Sequence, residues 1–98
     1  MRAAEVKVQD AGGGRPGARE RVRRFVLETF YVSDPSELAD GASLIAGGWV
    51  DSTGMLEVIG FLEGEFGIRV EDAEMVPENL ETIERIAAFV ARKLGAAG

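Results

Sequence analysis

Neither cysteine nor histidine occurs among the 98 residues, and together these absences remove much of ordinary catalytic chemistry. Without cysteine there is no disulfide, no thiolate nucleophile and no cysteine-type zinc site. Without histidine there is no Ser-His or Cys-His pair and no imidazole metal ligand. A Ser-Lys arrangement would have to recruit Lys7, in a glycine-rich lead, or Lys93, in a last helical turn. No catalytic residue and no metal ligand is therefore assigned. Long apolar runs are missing as well. The longest, Ile86 to Ala91, is far too short to span a bilayer, and Met1 to Asp10 carries charge but no apolar block that would read as a signal peptide. The expectation is a soluble, monomeric, cytoplasmic protein.

Positive charge is scarce over most of the chain. Seven of the eleven basic residues precede Phe25; from Phe25 to Glu84, fourteen acidic residues stand against Arg69 alone. Such a field repels phosphate backbones, which excludes nucleic acid as a partner, and it fits either a partner with Lys/Arg patches or a solvated acidic surface kept for solubility. With 46% apolar residues, the length suffices for one small domain with a single core.

Residues 1–17, with Gly12-Gly13-Gly14 and Pro16-Gly17, read as a flexible extension, and 18–95 as the domain. Helical spacing of Val22, Phe25, Val26 and Phe30 predicts a first helix from Ala18 to about Phe30, with Arg19, Arg21, Arg23 and Arg24 as a solvated face. The long connection from Val32 to Val50 contains Asp34-Pro35-Ser36-Glu37, which predicts a short helical turn. Leu38, Leu44, Ile45 and Trp49 offer anchors to tack this loop onto the core. Gly67 should end a second helix, a loop with a helical turn should cover Asp72 to Val76, and Pro77 should break the chain. A last helix is expected from about Glu81 to Leu94. Ile83, Ile86, Ala87, Val90 and Leu94 face inward, Arg92 and Lys93 sit in its last turn, and Gly95 closes it. The expected architecture is all-α: a small bundle of three principal helices and one short one, with a long first loop.

The second helix, Ser52 to Phe66, is the most informative. Met55, Val58, Ile59, Leu62 and Phe66 gather on one side. Thr53, Leu56, Glu57, Gly60, Glu63 and Gly64 form the other, acidic and thinned by two glycines. An interior glycine costs a helix about 0.5–1 kcal/mol relative to alanine. Accepting that twice suggests either tolerant surface positions or a body approaching closely along this face. Asp51-Ser52-Thr53-Gly54 opens the helix directly after the loop Gly47-Gly48-Trp49-Val50. On residues alone, Asp or Ser at a helix start is an ordinary N-cap.

From Val22 to Leu94, the order and spacing of these features resemble acyl carrier proteins and the related peptidyl carriers. The matching elements are Val22, Phe25 and Val26, the loop Asp40-Gly41-Ala42-Ser43-Leu44, and Asp51-Ser52. The match continues through Leu62-Glu63-Gly64-Glu65-Phe66-Gly67-Ile68 and Leu80-Glu81-Thr82-Ile83. The resemblance implies that Ser52 carries a 4′-phosphopantetheine arm, moved from coenzyme A by a phosphopantetheinyl transferase, with acyl or aminoacyl groups held as thioesters on its sulfur. It implies that Asp51 supports Mg²⁺ and transferase recognition, and that Thr53, Leu56, Glu57, Gly60 and Glu63 meet partner enzymes. Those partners would be an acyl or aminoacyl ligase and a downstream acyltransferase, synthase or tailoring enzyme. Thr53 stands where leucine commonly follows the serine, and Gly54, Gly60 and Gly64 where acidic or larger residues are common. With Trp49-Val50 and Val76-Pro77-Glu78-Asn79-Leu80, this looks more like free-standing carriers of specialised pathways than the general fatty-acid carrier. The competing reading is an unmodified acidic adaptor that binds a basic partner through the helix at 52–66.

Overall fold

The computed structural model describes residues 17–97. Apart from Gly17, the expected flexible extension at 1–17 lies outside the described residues. The regular structure of the described residues is all helical, with no strand among them: α1 (Ala18–Thr29), α2 (Ser52–Phe66), the one-turn α3 (Pro77–Leu80) and α4 (Ile83–Ala97). Two 3₁₀ turns, Pro35–Glu37 and Asp72–Glu74, interrupt the long loops. The expected bundle of three principal helices and one short one is what forms. No helix among the described residues is long and apolar enough to cross a membrane.

The core is the meeting of three apolar stripes. Val22 and Val26 of α1, Val58, Ile59 and Leu62 of α2, and Ile83, Ile86, Phe89 and Val90 of α4 are all buried. Beside it runs an aromatic seam. Phe25 of α1 stacks on Phe61 of α2 with ring centroids 4.3 Å apart, and Phe30 and Phe66 meet these rings edge-on at 6.1 and 6.0 Å. Phe61 and Phe89 extend the predicted stripes; 100° spacing alone puts them at the stripes' margins.

The long first loop belongs to the core. Leu38 and Leu44 are as buried as any helical residue, and Trp49 packs against the cluster. Its backbone is hydrogen-bonded to the α4 region: Leu44 N–H donates to the Glu81 carbonyl at 2.9 Å and Glu84 N–H to the Asp40 carbonyl at 2.9 Å. The Asp34 side chain caps the first 3₁₀ turn by accepting from Ser36 N–H, as the Asp-Pro-Ser-Glu sequence predicts. Gly67 ends α2 in the left-handed region with φ of 69°, the expected C-terminal stop.

Several local expectations are corrected. The arginines of α1 are not simply a solvated face. Arg23 donates to the Leu38 carbonyl at 2.5 Å and to Asp40, and Arg21 donates to Glu65 at 2.9 and 2.6 Å while lying 4.5 Å above the Phe66 ring. Two of them thus tie α1 to the first loop and to the end of α2. Pro77 does not break the chain; it stands at the start of α3, where its missing N–H costs nothing. The last helix starts at Ile83, two residues later than expected, because the Thr82 hydroxyl accepts the Arg85 N–H at 2.9 Å as an N-cap. Nor does Gly95 close it. The helix continues to Ala97, so Arg92 and Lys93 precede its last turn and instead reach across to Asn79 and Glu74. Leu94, expected inward, is 46% exposed, and Ile45, expected as a loop anchor, is 51% exposed.

Candidate functional site

The start of α2 resolves which residue caps the helix. Asp51 is extended at φ −95°, ψ −175°, and its carboxylate accepts the Gly54 N–H at 2.7 Å while its carbonyl accepts the Met55 N–H at 2.9 Å. Asp51 is therefore the N-cap. Ser52 is the first helical residue, and it is exposed. Because the cap role is filled, the ordinary structural explanation for a serine at a helix mouth does not apply to Ser52. The N–H groups of Ser52 and Thr53, first in the helix and lacking carbonyls one turn earlier, lie at the same exposed end. There the helix dipole favours negative charge.

Ser52 stands on the rim of a groove of about 520 Å³. Ile45 of the first loop, Met55, Leu56 and Ile59 of α2, and Met75 and Leu80 form its apolar walls; Ser43, Ser52 and Glu81 contribute its polar edge. Of the inward stripe of α2, Met55 and Ile59 line the groove, whereas Leu62 is wholly buried in the core. Ile45 and Met75 join the groove with no signal in their local sequence. They are brought there by a loop and a 3₁₀ turn whose paths depend on long-range contacts.

The residues of the candidate partner face separate into two kinds. Thr53, Leu56, Glu57 and Gly60 are exposed, Leu56 at 63% despite being apolar. Glu63 is half-buried, and its carboxylate accepts the Val70 N–H at 2.9 Å, so it also holds the loop that follows α2. A Cβ built on Gly60 or Gly64 would meet nothing within 4 Å. At these two positions no described part of the chain crowds the face.

Beyond the groove, the turn bearing Met75 is tethered to α4. Lys93 donates to both oxygens of Glu74 at 2.9 and 3.0 Å, and Arg92 donates to the Asn79 side chain at 2.8 Å. The Glu71 N–H, which donates to Glu74 at 2.9 Å, holds the Glu74 carboxyl below its ordinary value, and Lys93 lowers it further.

No family model matches the chain. It is similar to three proteins called acyl carrier protein. That of Thermotoga maritima is 31% identical over 75 residues, 76% of this chain and 89% of the relative. That of Phenylobacterium zucineum is 32% identical over 77 residues, covering 79% and 94%. That of Thermosynechococcus vestitus is 32% identical over 77 residues, covering 79% and 91%.

Proposed function

The chain belongs to the acyl carrier protein family, and from that membership we propose that it is a non-catalytic, free-standing carrier with Ser52 as the attachment point of a 4′-phosphopantetheine arm. The observation that carries this reading is the division of labour at the helix start. Asp51 makes the cap bond to Gly54, and Ser52 stands exposed beside it.

The residues present fit the group. The Ser52 and Thr53 N–H groups, at a helix terminus suited to an anion, would hold a phosphodiester attached at the Ser52 hydroxyl. The adjoining groove has apolar walls and no basic side chain along its lining. When attached, the arm supplies the thiol that a cysteine-free chain lacks, and acyl or aminoacyl cargo is held on it as a thioester. The chain's own residues anchor it, orient it and offer it an apolar shelter. Attachment would form a bond from the Ser52 oxygen to the phosphopantetheine phosphorus and break the pyrophosphate bridge of coenzyme A, with adenosine 3′,5′-bisphosphate as the leaving group; the hydroxyl proton would go to the transferase, with Asp51 supporting Mg²⁺ there. Thr53, Leu56, Glu57, Gly60 and Glu63 form the face read by that transferase, by an acyl or aminoacyl ligase and by downstream enzymes of a specialised pathway.

The test is incubation with coenzyme A, Mg²⁺ and a broad-specificity phosphopantetheinyl transferase. One phosphopantetheine is added by mass to the wild type and none to Ser52→Ala. A wild type left unmodified by several such transferases overturns the reading.

A further inference from the structure

Gly54 is the third residue of α2 and the donor to the Asp51 cap. Unlike the open Gly60 and Gly64, it is buried. A Cβ there would fall 2.7 Å from Cε1 and 3.3 Å from Cζ of Phe30, and 3.2 Å from the capping oxygen of Asp51. The last side chain of the α1 segment therefore presses directly against the backbone that carries Ser52. Phe30 is itself held: its N–H donates to the Val26 carbonyl at 3.0 Å, and its ring meets Phe25 edge-on, which in turn stacks on Phe61 of α2. A shift of the ring away from Gly54 would disturb its edge contact with Phe25.

We infer that Phe30 and Gly54 form a steric lock that sets the orientation of the first turn of α2, and with it the presentation of the Ser52 hydroxyl. Phe30 is a positioning residue, acting through the Gly54 backbone and the Asp51 cap. The inference rests on Ser52 being the attachment point. The pairing also gives Gly54 a physical reason distinct from that of the other glycines of α2. Its missing side chain is the space into which the ring fits, and alanine there forces either the ring or the capping carboxylate to give way.

The test compares wild type, Gly54→Ala, Phe30→Leu and the double variant as substrates of a phosphopantetheinyl transferase, with thermal midpoints measured in parallel. Gly54→Ala should lower kcat about tenfold with KM little changed, since a displaced nucleophile fails in the reacting geometry rather than in docking. Phe30→Leu removes the ring atoms that the methyl introduced by Gly54→Ala would meet, so the double variant should recover most of the rate. It should also melt higher than the sum of the two single effects. A Gly54→Ala protein modified at the wild-type rate, or a double variant as slow as Gly54→Ala alone, overturns the lock. If the wild type is not modified at all, the attachment reading fails instead. The lock is then judged on the thermal midpoints: coupling between the two positions sustains it as a contact, and additivity overturns it.

Discussion

Asp51 and Ser52 are adjacent polar residues with different work to do. The Asp51 side chain satisfies the Gly54 N–H, one of four donors that a helix start leaves without intrahelical partners. Removing such a cap costs about 1 kcal/mol, while asparagine keeps an oxygen in the same place. Asp51→Ala should therefore lose about 1 kcal/mol of unfolding free energy in urea, and Asp51→Asn should lose much less. Ser52→Ala should leave stability close to wild type, because Ser52 holds no cap bond. A large loss in Ser52→Ala would mean that the hydroxyl is structural after all. Periodicity starts the helix at Ser52, but either residue is a good N-cap by type; the bond from the Gly54 N–H to the Asp51 carboxylate shows which of the two does the capping.

At the scale of elements, α2 was legible almost in full. Its bounds, its C-terminal glycine and its two faces follow from periodicity and backbone preference, which are local properties. What was not legible depends on partners distant in sequence. Ile45 reads as an anchor until the loop path leaves it exposed beside the groove, and the arginines of α1 read as solvated until Asp40, the Leu38 carbonyl and Glu65 arrive. Leu94 fits the inward stripe of α4, yet among the described residues no core covers it and it is 46% exposed. The glycines of α2 separate in the same way. Gly60 and Gly64 open onto free space, so Gly60→Ala and Gly64→Ala should each stabilise the protein by about 0.5–1 kcal/mol in urea denaturation. If either substitution destabilises, the face is packed more closely than the structure shows.

At the scale of the whole molecule, charged tethers hold the loops to the helices across a chain whose middle is strongly acidic. The Glu74 carboxyl, held low first by the Glu71 N–H and then by Lys93, links the turn at the groove to α4. A carboxyl with a lowered folded-state pKa stabilises the fold above its unfolded value and loses that contribution as pH falls through the folded one. The difference in urea midpoint between wild type and Glu74→Gln should therefore be steady above the ordinary value of 4.5 and shrink as the pH is taken below it. Lys93→Met should diminish the effect without abolishing it, because the backbone bond remains. A gap independent of pH would show that Glu74 contributes through packing rather than charge.

The carrier and adaptor readings share this fold, this acidity and this groove, and they part at one atom, the Ser52 oxygen. The most direct measurement is intact and peptide-level mass spectrometry of the protein purified from its native host. The carrier account predicts one phosphopantetheine on the peptide containing Ser52, with cargo released by thioester cleavage. A protein recovered wholly unmodified at Ser52, or modified elsewhere, would contradict it and leave the acidic adaptor.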